Sequence, residues 1–234
     1  MAKLVSQESG GRSQKEKALR RALREQRDLL NLCGLPLPVD PTVRVNMLLS
    51  DTATLFNSNL MPMKLTFRTE KGDNFVAIFK RGDDLRQDQL MIQMIRLMDG
   101  LLRADGLDLR LTPYSVLATS TSEGFVQFVK AIPLREVISN WGTVQAFCGM
   151  LGFFCDIWQK QFVCIKLRKL GPISYMMVLD YYSDRHLHNL LLCENGKMFH
   201  VDFGYILGRD PKPFAPPPMK LTSEMINGMG GSHR

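Results

Sequence analysis

The sequence has no C-x-x-C pair, no long uninterrupted apolar run and no apolar leader behind its first residues. Each absence removes a class of protein. The most apolar stretch, Ala146 to Trp158, is broken by Asp156 and falls short of the roughly 18 apolar residues that a membrane-spanning helix needs. Met1 to Val5 lead into polar and charged residues, so a secretory leader is not expected and a cytosolic location is. The cysteines, Cys33, Cys148, Cys155, Cys164 and Cys193, are odd in number and are expected as buried free thiols, not a disulfide framework. Cys193, His186, His188 and His200 lack the paired spacing of structural zinc. With 45% hydrophobic and 23% charged residues over 234 positions, the composition is that of a globular protein with a real core. It fits one large or two small domains and excludes disorder and an extended repeat array.

The net charge of +7 points to phosphate ligands, nucleic acid or an anionic membrane. Its distribution narrows that choice. Between Arg12 and Asp28, seven basic residues stand against three acids, so +4 of the excess belongs to one segment. There Leu19, Ala22, Leu23 and Leu30 fall near one helical face with arginines around the rest. Such a basic amphipathic helix either packs on its own domain, the favoured reading, or meets an anionic membrane or partner. Leu35 to Pro41 follows with three prolines, which cannot continue a helix and predict an extended connector at a domain boundary.

Leu65 to Thr69 and Phe75 to Lys80 read as a hairpin across the turn Glu70 to Asp73. Asp83 or Asp84 can cap a helix over Arg86 to Leu102, with Leu85, Ile92, Ile95 and Leu102 at helical spacing. Lys80 at a strand end and Asp88 in the next helix can meet and hold the lysine toward a phosphate. Ser115 to Ser120 and Phe125 to Ile132 complete a small sheet, closed by Pro133.

The strongest chemistry lies from Ser183 to Gly204. Asp184-Arg185-His186 precedes Asn189 by five positions from the aspartate. Two strands, Asn189 to Cys193 and Lys197 to Val201, then turn at Glu194 to Gly196, and the second runs into Asp202-Phe203-Gly204. Phosphoryl transfer needs these parts: an acid to orient a hydroxyl, an Asn and an Asp to hold magnesium, and a lysine for the nucleotide phosphates. Protein kinases order them H-R-D-x-x-x-x-N then D-F-G; here the histidine follows the arginine instead.

With D-R-H-x-x-N, one hairpin and D-F-G, the chain resembles the catalytic domain of the phosphatidylinositol 3- and 4-kinase family, most of all the class III, vacuolar-sorting group. Pro36 to Val45, Phe56 to Pro62, Ile78 to Gln89, Leu111 to Ser120 and Phe199 to Pro213 also carry the likeness, which covers most of the chain.

The resemblance implies an α+β, two-lobed kinase-like fold: a basic helical segment at 1–34, a Pro-rich connector at 35–45, a small antiparallel-sheet lobe at 46–132 and a partial, mainly helical larger lobe at 133–234. It implies a lipid kinase that moves the ATP γ-phosphate to the 3-hydroxyl of phosphatidylinositol, with Mg2+, or Mn2+ in its place. Ser58 would cover the phosphates, in a turn without G-x-G-x-x-G. Lys80 would bind phosphate with Asp88 in support, and Tyr114 would line the inner pocket. Gln127, Phe128 and Val129 would form the adenine hinge, with Ile78, Leu191 and Val201 as apolar walls. Asp184 and His186 would act on the inositol hydroxyl, Asn189 and Asp202 would hold the metal, and Arg209, Lys212 and Lys220 in the activation loop would meet the headgroup. The family further implies a pseudokinase-type regulatory subunit, a cytoplasmic protein peripheral on endosomal and autophagic membranes, and no nucleic-acid partner.

Ser183 and His188 stand where the family usually has a glycine and an acid. Asn140 to Tyr182 does not resemble it, and the chain is expected to lack the family's last helices. A catalytically inactive, truncated kinase-like binding module, docking through the basic helix, is the alternative.

Overall fold

The computed structural model describes residues 10–108, 110–151 and 187–204. They divide into two compact units, one running to Gln89 and resuming over Tyr114–Val129, the other taking Leu90–Pro113 and the chain from Lys130.

In the first unit, helix α1 (Arg12–Glu25) places Leu19 and Leu23 one turn apart, and both are buried in the unit's core. Polar bonds fix its rim. Arg20 Nε donates to Ala53 O (2.9 Å), Arg24 pairs with Asp51, and the Leu55 N–H donates to Glu16 Oε1 (3.0 Å). Of the two readings of the basic helix, packing on its own domain is the one realised, and the segment expected to precede the small lobe shares its core. A one-turn helix, α2 (Arg27–Leu30), follows.

The proline-rich connector is a hairpin rather than a free spacer. Strand β1 (Leu35–Leu37) pairs antiparallel with β2 (Asp40–Leu48), setting Leu35 opposite Val45 and Pro36 opposite Arg44. Proline is tolerated there because β1 is an edge strand, whose outer N–H groups have no ladder to join. Beyond the 3-10 turn Ser50–Thr52 come β3 (Thr54–Leu55), β4 (Met63–Thr69), β5 (Asn74–Arg81), β6 (Val116–Ala118) and β7 (Glu123–Gln127). The sheet runs β1-β2-β4-β5-β7-β6, with β3 also on β4, and every pair is antiparallel. Strand alternation sends Met63, Leu65, Phe67, Ala77 and Phe79 to the core under α1. Lys64, Ile78 and Lys80 therefore take the opposite face.

Glu16 makes this packing sensitive to acid. The Leu55 N–H, followed by the Arg12 and Arg20 guanidiniums, holds its carboxyl below the ordinary glutamate value. A depressed folded value means that the stabilisation is whole above the unfolded pKa of about 4.3 and is lost as pH falls through the lower folded one. Melting temperature should drop more steeply below about pH 4.5 in the unchanged protein than in Glu16→Gln; parallel curves would disconnect Glu16 from stability.

In the second unit, the strand expected over Phe125 to Ile132 is split. β7 ends at Gln127, and Ala131–Pro133 forms β8 in a separate sheet, β10-β9-β8, with β9 (Leu190–Cys193) and β10 (Met198–His200). Lys130 pairs with Glu194 (2.7 Å) where this second sheet begins. Helix α3 (Arg86–Ala104) is the one predicted over Arg86 to Leu102. α4 (Leu134–Trp141) ends at Gly142, which takes φ +73°, and α5 (Val144–Met150) starts where Thr143 Oγ1 accepts the Ala146 N–H (3.1 Å). Leu134, Val137, Val144, Phe147, Leu190 and Leu192 form the core. Among the described residues no helix is long and apolar enough to cross a membrane. Of the described cysteines, Cys148 and Cys193 are buried free thiols as expected, whereas Cys33 is exposed. Burial pushes the Cys193 thiol up, and no group of three metal-ligating side chains occurs among the described residues.

Candidate active site

Strand β5 delivers the lysine. Ile78 and Lys80 stand on the face turned from the core, opposite Val126 and Gly124 of β7. Beyond Arg81 the chain reverses at Gly82, whose φ of +84° favours glycine and whose N–H donates to Ser122 O (2.7 Å). That reversal settles the two aspartates that follow. Asp83 Oδ2 takes Lys80 Nζ at 3.0 Å, while Asp84 accepts the Arg86 N–H (3.1 Å) and its guanidinium, capping α3. Arg86 holds the Asp84 carboxyl below its ordinary value. Lys80 thus pairs with Asp83, three residues on, because the turn brings that carboxylate back. Asp88 is buried in the first turn of α3, where the helix dipole favours a carboxylate.

Gly124 makes room beside the lysine. A Cβ built on it would lie 2.5 Å from the Leu117 carbonyl oxygen and 2.8 Å from Leu85 Cδ1. Backbone cannot yield as a flexible side chain does. Gly124→Ala should therefore cost about 1–3 kcal/mol and disturb the register opposite Lys80. A chemical melt checks this, and an unchanged midpoint would show that β6 moves aside freely.

The predicted hinge residues cluster where β7 leaves the sheet. Gln127 exchanges two bonds with Ser115, its N–H donating to Ser115 O (2.8 Å) and its Oε1 accepting the Ser115 N–H (3.0 Å). The Phe128 N–H donates to Val76 O (3.0 Å), so Val129 is the first residue beyond the ladder. Tyr114, just before Ser115, is buried. Ser58 is exposed in the turn that joins β3 to β4, closed by the Phe56 N–H on Pro62 O (2.9 Å).

Two residues to which the sequence assigned no site role join this group. Lys64, across the ladder from Ile78, holds its ammonium 4.0 Å from the Phe128 ring centroid, and the Phe56 ring lies 6.4 Å from Phe128. The signal for Lys64 was present, since it shares the alternation phase of Ile78 and Lys80 across the hairpin. Nothing in the sequence marked Phe56 and Phe128 as neighbours.

The second unit gathers the acid and amide. Asn189 immediately precedes β9 and Asp202 follows β10, and the Val201 N–H donates to Asn189 O (3.0 Å) at the open end of their hairpin. Leu191 and Phe199 pair within it. Asp202 has φ +64°, a left-handed conformation that Asp tolerates better than most residues, and its Oδ1 accepts the Gly204 N–H (3.4 Å). An amide oxygen and a carboxylate on neighbouring strand ends are the hard-oxygen donor types that could hold a divalent cation. Asp184, His186, Arg209, Lys212 and Lys220 lie outside the described residues, as do Cys155 and Cys164.

Comparison with known proteins meets this geometry. The chain is 44% identical to "Phosphatidylinositol 3-kinase catalytic subunit type 3" of Caenorhabditis elegans, over 95% of its own length and 26% of that relative's. It is 40% identical to "Phosphatidylinositol 3-kinase pik3" of Schizosaccharomyces pombe (99% and 30%), and 39% identical to the nodule isoform of phosphatidylinositol 3-kinase from Glycine max (97% and 29%). It therefore spans between a quarter and a third of these relatives. Residues 74–160 and 142–234 match the family described as "Phosphatidylinositol 3- and 4-kinase", and the chain belongs to that family.

Proposed function

We propose that the chain is the catalytic segment of a lipid kinase with a two-lobed, kinase-like arrangement, transferring the ATP γ-phosphoryl group to the 3-hydroxyl of phosphatidylinositol. The observation that carries this is the convergence of Asn189 and Asp202 at one hairpin end, in a chain whose other unit presents Lys80 and the hinge residues on one sheet. Magnesium, or manganese in its place, would neutralise charge on the phosphates. Lys80 would hold the nucleotide phosphates beneath the Ser58 turn, and Val129 would meet the adenine edge with its backbone, beside Ile78, Leu191, Val201 and Tyr114.

Asp184 and His186 would orient the inositol hydroxyl and take its proton as oxygen bonds to the γ-phosphorus and the bridge to ADP breaks. Arg209, Lys212 and Lys220 would meet the lipid headgroup. The names of the relatives support the 3-hydroxyl as acceptor. On the same reading the protein works at endosomal and autophagic membranes with a pseudokinase-type subunit.

A docking module acting through the basic helix has weaker support. Two of its arginines are already engaged, Arg20 by Ala53 O and Arg24 by Asp51. The deciding experiment is a thermal melt of the purified chain with and without magnesium–ATP. Ligand at about a hundred times its Kd stabilises by roughly 2.7 kcal/mol, and that rise should vanish in Lys80→Ala and Asp202→Ala. A melt indifferent to magnesium–ATP would overturn the kinase reading.

A further inference from the structure

The core face of the first sheet is not closed. Between helices α1 and α2, the β1–β2 hairpin and strands β4, β5 and β7 lies a hollow of about 550 Å³, walled by Leu23, Leu29, Leu37, Leu65, Phe79 and Phe125. Its effect shows in the side chains around it. Leu65, Phe79 and Phe125 point to the core side yet stay half-buried, with the Phe79 and Phe125 rings 4.9 Å apart, and Leu35 at the wall is 50% exposed. Protein interiors are otherwise packed to the density of organic crystals, and an apolar hollow stays dry and accepts apolar guests. This volume lies within the range of about 300–1,000 Å³ usual for ligand sites.

The walls decide the guest. Among the described residues, Arg81 and Glu123, paired at 3.0 Å, are the only polar side chains lining the hollow. A peptide would bring backbone N–H and C=O groups that such walls cannot satisfy, and a nucleotide or sugar would fare worse. A hydrocarbon chain asks for no partners. Charge then selects its head. The helices that supply Leu23 and Leu29 belong to the segment holding +4 of the net charge, with Arg21 and Arg27 exposed, while at the wall the Arg81 guanidinium is shared with Glu123, so that a bound anionic head would compete for it.

We propose that this hollow binds the acyl chain of a single-chain anionic amphiphile, a fatty acid or a lysophospholipid, with Arg81 and the basic helices meeting the head. The site is independent of the nucleotide site, because Lys80 and Ile78 point from the opposite face of the same strands.

The probe is cis-parinaric acid, whose fluorescence rises in an apolar cavity, titrated into the full chain below micelle-forming concentrations. Saturable binding, displaced by palmitate and by lysophosphatidylinositol alike, is expected; displacement by only one names the source of the head. Leu65→Trp, which fills the hollow, should weaken binding at least tenfold without lowering the melting temperature. Should that variant fail to fold, Val45→Phe serves the same purpose. Arg81→Gln should weaken the acid several-fold and leave its methyl ester unchanged. Undiminished binding in a folded filled variant, or equal effects on acid and ester, would overturn the proposal. So would absence of probe binding in a chain that self-associates through this face, which would make a second copy the occupant.

Discussion

Asp202→Ala is expected to reduce phosphatidylinositol phosphorylation about 10²- to 10³-fold, the loss typical when one preorganised group that stabilises transition-state charge is removed. The companion variant Asp202→Asn makes the result interpretable. Asp202 sits at φ +64° with Oδ1 accepting the Gly204 N–H, and asparagine tolerates that backbone and keeps that acceptor. What asparagine lacks is the negative charge. A comparable loss in both variants, measured as radiolabelled phosphate transferred to lipid vesicles, assigns the effect to charge toward a metal. Full activity in Asp202→Asn would instead assign Asp202 to holding the turn, and the proposed metal role would fall.

Leu19→Ala should lower the unfolding free energy by about 2–5 kcal/mol, since a fully buried leucine loses both its transfer energy and its close packing. Arg21→Ala, two positions along on the exposed face of the same helix, should change it by no more than about 0.5 kcal/mol. Denaturant melts of the two variants read the contrast directly. A helix serving only to dock on membranes would give the reverse: an unchanged midpoint for Leu19→Ala and weaker vesicle binding for Arg21→Ala. The hydrogen bonds from Arg20 to Ala53 and from Leu55 to Glu16 are why the packed outcome is expected.

Local signals account for what could be read without coordinates. The β4–β5 hairpin follows from alternating residues around a glycine turn, α3 from its apolar period, and the β9–β10 hairpin from Glu194 to Gly196. Each depends on neighbours within about ten positions. The nearness of Asn189 to Asp202 was legible for the same reason: a single hairpin joins them. Where the reading went astray, contacts distant in sequence decided the outcome. The prolines of Leu35 to Pro41 forbid a helix but do not choose between a spacer and an edge strand; pairing with β2 chose. The strand expected through Ile132 breaks because Phe128 still bonds to Val76, whereas Ala131 pairs with Cys193, more than sixty positions away. The Lys80–Asp83 ion pair depends on the reversal at Gly82, which residue spacing alone does not specify.

The sequence by itself determined the family, the chemical inventory and the periodicity of the main elements, because residue types and short spacings carry all three. Only the tertiary structure decided that the basic helix belongs to the core, which lysine lies over Phe128, and that the face behind the sheet is hollow. Those outcomes depend on side chains from several elements competing for one space, and that competition is resolved only when the elements pack.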